Sequence, residues 1–211
     1  MLYDATLKSL FQALPEQLLA LLVNSRVREL LQVEYPSVRM RRPDLVARLE
    51  NGRLYHLELQ GENEDMRWRM LEYYQLIHVE YDEPPLQQVL YVGNEPLAMQ
   101  PRIEEECLSF RYQVIDIRQF SVEPLLRSSS LADNLLAILC RTGEARATVR
   151  DILKRLTGLP QTVRQDSIAK LLVLSKLRRL QELVSEESRI MPVTIDLSDI
   201  REFREDRKSV V

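Results

Sequence analysis

The chain has 211 residues, of which 45% are hydrophobic, and its formal net charge at pH 7 is −3. This length suits one well-cored domain, or one domain with a small extension, and no apolar run approaches the ~20 residues of a membrane span. The acidic net charge argues against a basic protein that coats nucleic acid, but it allows an enzyme with a local basic patch. Cys107 and Cys140 are far apart and His56 and His78 are the two histidines, so we expect neither a disulfide framework nor a Cys/His zinc site, and a cytoplasmic location fits best.

The first half of the chain is predicted to be helices followed by strands. Apolar residues at helical spacing predict a helix over residues 5–14 and a second one after Pro15. Strands are predicted over residues 30–35, over the two runs that flank residues 50–52, and over residues 87–92 and 110–117. Between them, apolar side chains at helical spacing predict an amphipathic helix over residues 65–81. This order predicts a mixed α/β core.

The chain changes character after Pro124, where apolar stripes predict a series of helices. We therefore divide it into an α/β core (1–126), a helical extension (127–190) and a charged tail (191–211) that is expected to be poorly ordered. The extension is expected either to pack on the core or to form an interface, and in the second case the chain would form a homo-oligomer.

Two loop lengths are compatible with the Asn-Gly pair between the second and third strands. A two-residue loop would place Asp44 opposite Leu59, whereas a three-residue loop with Gly52 in the left-handed conformation places Asp44 opposite Glu58. The longer loop collects the apolar side chains on one face, where burial of each is worth about 1.5–3 kcal/mol. Because a one-residue slip moves every side chain to the other face, we predict the three-residue loop.

In this register Asp44, Glu58 and Gln60 share the polar face, near the strand ends that lie away from the turn. Two directly opposed carboxylates repel each other unless positive charge lies between them. A divalent cation is the simplest source, and oxygen ligands favour Mg²⁺ or Mn²⁺. The other interpretation is a solvated sheet face on which the acids pair with Arg48 or Arg42.

The helix over residues 65–81 favours the metal interpretation. It is expected to cover one face of the sheet, and Arg67 and Arg69 open it directly after the strand that carries Glu58. Cations beside a carboxylate pair are typical of a site that holds a phosphate group against a metal. A solvated surface is the other explanation of the arginines concentrated between positions 39 and 69.

These segments resemble a known family. Pro43-Asp44 followed by Glu58-Leu59-Gln60 is similar to the PD-(D/E)xK nuclease signature, and the ordered series of segments resembles the recombination-promoting nucleases, also described as PD-(D/E)xK nuclease family transposases. The segments are YDATLK (3–8), RPDLV (42–46), HLELQGEN (56–63), WRMLEYY (68–74), VLYVG (89–93), VIDIR (114–118) and EPLL (123–126).

The resemblance implies a restriction-endonuclease-like fold and a Mg²⁺- or Mn²⁺-dependent endonuclease acting on DNA, linked to recombination or mobile elements. Asp44, Glu58 and Gln60 would be the catalytic residues. Asp44, Glu58 and the backbone carbonyl of Leu59 would bind the metal. The third motif position normally holds a lysine that stabilises developing negative charge, whereas Gln60 can donate a hydrogen bond but brings no positive charge.

Four further residues are candidate substrate-binding residues. Arg67 and Arg69 lie where the fold supplies phosphate contacts, and Lys8 matches a family position from which it could reach DNA phosphate. His56 lies on the predicted site face, where it could orient substrate or water. For Lys8 and His56 the alternatives are an exposed helix lysine and a histidine bonded to a neighbour.

Two other functions stay open. Gln60 and the acidic net charge favour a nucleic-acid-binding or assembly protein that keeps the fold and has lost turnover. A metal-dependent hydrolase of another phosphate ester is the second alternative.

Overall fold

The computed structural model describes residues 2–31 and 42–190. Within these ranges the elements are α1 (Leu2–Gln12), α2 (Glu16–Val23), β1 (Val27–Leu31), β2 (Leu45–Leu49), β3 (Leu54–Gln60), α3 (Arg67–Tyr81), β4 (Leu86–Tyr91), β5 (Arg102–Glu105), β6 (Leu108–Arg111), β7 (Gln113–Asp116), α4 (Val122–Arg127), α5 (Leu131–Leu136), α6 (Ala145–Leu156), α7 (Gln161–Lys176) and α8 (Gln181–Ile190). The predicted tail at 191–211 and residues 32–35 of the first predicted strand lie outside the described residues. None of the helices described here is long and apolar enough to cross a membrane.

The central sheet of the described residues is mixed and has the strand order β1-β2-β3-β4-β7. Strands β1, β2 and β3 form an antiparallel meander. Strands β4 and β7 then add in parallel to β3. A parallel pair needs a long connection between its strands, and α3 supplies it between β3 and β4. The predicted mixed α/β class, a sheet flanked by helices, is confirmed.

The hairpin between β2 and β3 has the predicted three-residue loop. Leu49 N–H donates to the Arg53 carbonyl at 2.9 Å, and Gly52 N–H donates to the Leu49 carbonyl at 3.0 Å. Gly52 has a φ of 85°, a conformation that glycine adopts without strain. Leu45 lies opposite Leu57, as this loop length requires.

One face of β2 and β3 packs against most of the helices. Its side chains are buried in one apolar cluster, and they are Leu45, Ala47, Leu49, Tyr55, Leu57 and Leu59. Helices α5 to α8 add residues such as Leu135, Ile152, Leu171 and Val184 to the same cluster. The helices after residue 127 therefore share a hydrophobic core with the sheet.

The opposite face of β2 and β3, which carries the two acids, is covered by α3. Tyr73 and Ile77 of this helix pack against Val46 and Leu54. Met70 packs against the base of the β5–β6 hairpin, which forms a separate two-stranded sheet. Glu58 is 3% exposed and the side chain of Asp44 is 8% exposed, so the interpretation of the acids as part of a solvated sheet face is wrong.

The single strand predicted over residues 110–117 is two strands that belong to different sheets. Strand β6 pairs with β5, whereas β7 pairs with β4. Between them, Tyr112 N–H donates to the Pro101 carbonyl at 3.0 Å. An alternating pattern predicts which side chains are buried, but it does not specify the strand with which the backbone pairs. Strand β1 also begins earlier than predicted, because Val27 already pairs with Leu49 of β2.

Candidate functional site

Asp44 and Glu58 meet at the ends of β2 and β3 that lie away from the hairpin turn. Asp44 N–H donates to Glu58 Oε1 at 3.0 Å, and Leu59 N–H donates to Asp44 Oδ2 at 2.9 Å. Glu58 is 3% exposed, and the side chain of Asp44 is 8% exposed. Each carboxylate is therefore held by a backbone N–H of the opposite segment, on one side of the sheet.

Pro43 explains why the backbone opens at this point. Leu49 and Arg53 form a hydrogen-bonded pair. In an antiparallel ladder every second pair of opposite residues is hydrogen-bonded, so the regular pattern would continue along β2 and β3 and reach Pro43 opposite Leu59. Proline has no N–H to donate to the Leu59 carbonyl. The N–H and C=O of one strand residue point to the same neighbour, and the Leu59 N–H is directed at Asp44. The Leu59 carbonyl therefore points to the same side as the two acids.

The charges around Asp44 leave its carboxylate short of positive partners. Burial, followed by the negative charge of Glu58, raises the pKa of Asp44 to about 6, although Lys8 and the Leu59 N–H act in the opposite direction. Lys8 Nζ lies 2.9 Å from Asp44 Oδ1 and 3.5 Å from Asp4 Oδ2. Burial lowers the pKa of Lys8, but the hydrogen bond and charge of Asp44 outweigh it and hold the pKa above its ordinary value.

These groups open onto a cleft of about 320 Å³ between α1, the end of β3 and the start of α3. The acids that line it are Asp4, Asp44, Glu58, Glu62 and Glu64. The cations that line it are Lys8, Arg42 and Arg69. Acidic groups therefore outnumber basic ones, so the cleft attracts cations, and an anionic substrate needs added positive charge to enter it.

Gln60 lines the same cleft as the two acids. Its side-chain amide donates to the sulfur of Met66 at 3.1 Å, and its backbone carbonyl accepts the N–H of Val92 at 2.8 Å. A thioether is a weak acceptor, so the amide can exchange this contact for an oxygen at small cost. Gln60 is thus in reach of a ligand in the cleft and brings no charge to it.

The two arginines at the start of α3 differ in position. Arg69 lines the cleft, and its terminal nitrogen lies 3.8 Å from Glu64. Arg67 does not line the cleft and instead binds Asp65 through two hydrogen bonds of 2.8 and 2.7 Å. Residues two positions apart on a helix face different directions. The fold therefore brings Arg69 to the site, whereas Arg67 lies outside it and does not have the position of the predicted phosphate contact.

His56 is buried away from the cleft, so it does not have the position that its predicted role as a substrate contact requires. Its ring is completely buried, does not line the cleft, and packs edge-on against Tyr73 with 4.9 Å between the ring centroids. His56 Nε2 lies 3.1 Å from Glu58 Oε1. A ring buried beneath α3 cannot touch substrate, so its contact is with the acid Glu58.

Tyr3 and Gln87 are among the residues at the site that were not identified from the sequence. Tyr3 lines the cleft and packs so closely on Gly61 that a Cβ at residue 61 would lie 2.5 Å from the Tyr3 hydroxyl oxygen. Gln87 lies behind the acids, with its amide nitrogen 2.9 Å from His56 Nδ1. Strand β4 carries two adjacent glutamines, Gln87 and Gln88, among apolar and aromatic residues. This is a signal that could have indicated Gln87, because buried polar groups need partners.

The oxygen ligands at the site suit a hard divalent cation. Asp44, Glu58 and the Leu59 carbonyl are oxygen donors on one side of the cleft. Mg²⁺ is commonly held by one or two carboxylates, while waters and substrate phosphates complete its coordination. Over residues 2–31 and 42–190 no group of three or more His, Cys, Asp and Glu side chains is placed to hold a metal ion.

The fold and the site define a mixed α/β protein with an acid-lined cleft at the ends of the inner strands β2 and β3 of its central sheet. Comparisons of the chain with models of known protein families, with curated proteins and with solved structures find no match. The likeness to the PD-(D/E)xK nucleases therefore rests on the motifs between residues 3 and 126.

Proposed function

We propose that the chain is a Mg²⁺- or Mn²⁺-dependent endonuclease that hydrolyses phosphodiester bonds in DNA, on a restriction-endonuclease-like fold. The antiparallel meander β1–β3, followed by a helical connection to the parallel strand β4, supports the proposed fold. The order of the quoted motifs supports the proposed link to recombination or mobile elements.

One observation carries the proposal. Asp44 directly precedes β2 and Glu58 lies in the neighbouring strand β3; their side chains are buried together and share one cleft with Leu59. Two adjacent buried carboxylates cost free energy, and Lys8 does not offset this cost, because the pKa of Asp44 stays raised beside it; a bound cation would offset it. A protein that needed only stability would replace one of them with a neutral residue, so the pair indicates cation binding.

Each residue at the cleft has a separate task. Asp44, Glu58 and the Leu59 carbonyl hold the cation, which when bound adds positive charge at the scissile phosphate and lowers the pKa of the attacking water. Arg69 pairs with a phosphate oxygen and orients it. Gln60 turns its amide from the Met66 sulfur to a water or phosphate oxygen.

A DNA-binding protein without turnover is the second candidate. Two observations favour it: Gln60 is uncharged, and acids outnumber cations in the lining of the cleft. Loss of one charged stabiliser costs a few kcal/mol of transition-state energy, or about 100-fold in rate. The same fold could then bind DNA and cut it too slowly to matter.

Cleavage of supercoiled plasmid DNA separates the two candidates. The wild type should nick the plasmid with Mg²⁺ or Mn²⁺ and not with EDTA, and Asp44→Ala or Glu58→Gln should lower the rate at least about 100-fold. Asp166→Ala is the matched control, because Asp166 is an exposed acid paired with Lys170 on α7. Equal cleavage by the wild type and Asp44→Ala would indicate a contaminating nuclease and refute the proposal. DNA binding without metal-stimulated cleavage would support the second candidate.

The arginines of α3 provide a matched pair for the phosphate contact. Arg69→Ala removes a cation from the cleft, whereas Arg67→Ala removes one that is paired with Asp65 outside it. We expect weaker DNA binding and slower cleavage from Arg69→Ala and a smaller effect from Arg67→Ala. Equal effects of the two substitutions on binding would mean that α3 contacts DNA with its outer surface rather than through the cleft.

A further inference from the structure

Behind the candidate metal ligand Glu58 lies a buried chain of three polar side chains. Gln87 Nε2 lies 2.9 Å from His56 Nδ1, and His56 Nε2 lies 3.1 Å from Glu58 Oε1. The three residues are 4%, 0% and 3% exposed, respectively. These hydrogen bonds are therefore shielded from water, and the direction of each one matters.

The orientation of the Gln87 amide follows from its second contact. Gln87 Nε2 also lies 2.9 Å from the backbone carbonyl oxygen of Met70, which can only accept a hydrogen bond. Turning the amide over would bring two carbonyl oxygens together. The nitrogen of Gln87 therefore donates both to Met70 and to His56 Nδ1, so Nδ1 is an acceptor and carries no proton.

The proton of the His56 ring consequently lies on Nε2, which faces Glu58. Nε2–H then donates to Glu58 Oε1, the same oxygen that accepts the N–H of Asp44. Both described hydrogen bonds to the Glu58 carboxylate thus fall on one oxygen and set its rotation. Tyr73 packs edge-on against the imidazole and restricts the tilt of the ring.

The arrangement is costly for stability alone. Among the described residues, Gln87 Oε1 is buried and has no hydrogen-bond partner. A buried, unsatisfied carbonyl destabilises a fold, and apolar residues of similar volume would fill this space without that penalty. The presence of His56 and Gln87 here, despite this cost, is explained if they act on Glu58.

We propose that His56, held as its Nε2–H tautomer by Gln87, is a positioning residue that orients the Glu58 carboxylate for cation binding. The inference rests on the proposed function, because it assigns Glu58 to the cation. Hydrogen-bonded partners of metal ligands orient them, and their loss typically weakens metal binding about 10- to 100-fold.

The tautomer is tested without any metal and without altering the three residues. The chain has two histidines, so ¹⁵N-histidine labelling of a His78→Gln protein leaves His56 as the source of signal. Two-bond ¹H–¹⁵N spectra should show a protonated Nε2 and an unprotonated Nδ1. A proton on Nδ1, alone or together with Nε2, would overturn the proposal.

Cation affinity tests the positioning role itself. Mn²⁺ titrations should give a dissociation constant about 10- to 100-fold higher for His56→Leu than for the wild type. His56→Gln, which keeps an N–H donor near the position of Nε2, should restore much of the affinity, and circular dichroism checks that each variant is folded. Equal Mn²⁺ affinity of folded His56→Leu and wild type would refute the role of His56 alone. A wild type that binds no Mn²⁺ would refute the proposed function and the role of His56 with it, while the tautomer result would still stand.

Discussion

Replacing Asp44 with asparagine should stabilise the metal-free protein at neutral pH. Asparagine keeps the size of the side chain and a carbonyl oxygen that accepts the Leu59 N–H, but it removes the buried charge next to Glu58. The rise in the pKa of Asp44 from 3.8 to about 6 corresponds to about 3 kcal/mol of destabilisation by the ionised carboxylate. This figure already includes the favourable ion pair with Lys8, which lowers the pKa of Asp44.

The sign of the pH dependence follows from proton binding. The folded protein binds the Asp44 proton more tightly than the unfolded chain does, so the ionised carboxylate lowers stability above pH 6. As the pH falls from 6 towards 3.8, this cost declines, and about 1.5 kcal/mol of it remains at pH 5. The free energy of unfolding of Asp44→Asn should therefore exceed that of the wild type by about 3 kcal/mol at pH 8 and by about half of that at pH 5.

Urea unfolding in EDTA at both pH values measures this difference as a change in midpoint at constant slope. Asp166→Asn is the control, because Asp166 is an exposed acid and should change the free energy of unfolding by less than about 0.5 kcal/mol. Added Mn²⁺ should stabilise the wild type and have little effect on Asp44→Asn. An Asp44→Asn protein that is less stable than the wild type at pH 8 would refute the electrostatic reasoning. An increase in the free energy of unfolding that is equal at pH 5 and pH 8 would refute it as well.

Three further predictions concern the site and the fold. Protons compete with a cation for Asp44, so the affinity for Mn²⁺ should be constant above pH 6 and should fall up to about tenfold per pH unit below it. Calorimetric titrations measure this affinity, and a constant affinity from pH 5 to 8 would contradict the pKa of Asp44. Gly52→Ala should lower the free energy of unfolding by about 1 kcal/mol, because the φ of 85° strains alanine. Gly143→Ala, where no such φ occurs and a new Cβ meets nothing within 4 Å, should cost less, and equal losses would argue against the strained loop. Asp133→Ala should cost about 2–3 kcal/mol, because its carboxylate accepts two N–H groups at the start of α2, at 2.9 and 3.1 Å. Urea midpoints measure this loss against Asp166→Ala, and a loss no larger than in that control would contradict the capping role.

The hairpin and its acid pair could be predicted from the sequence because they depend on short-range rules. The Asn-Gly pair limits the loop length, and the alternation of side chains in the strands then selects one register. That register places Asp44 opposite Glu58 without knowledge of any other element. The helix over residues 65–81 was predictable for the same reason, since its apolar spacing lies within one segment.

The strand predicted over residues 110–117 was only partly predictable. The alternating pattern predicted a strand here, and its residues Phe110 and Tyr112 are both buried. The backbone on either side of Tyr112 nevertheless pairs with different strands, β5 and β4. Pairing partners are selected by the whole sheet and not by the local pattern, so the sequence did not reveal the separate hairpin.

By itself, the sequence determined that two acids face each other across a bulged hairpin, because periodicity and turn geometry act over a few residues. Only the tertiary structure decided what surrounds them. Lys8 reaches Asp44 because α1 packs beside the strand ends, and His56 is buried against Glu58 because α3 covers that face. Arg69 enters the cleft and Arg67 does not, because the docking of α3 sets its rotation. These contacts join residues far apart in the chain, and their geometry depends on how whole helices pack, which no local pattern encodes.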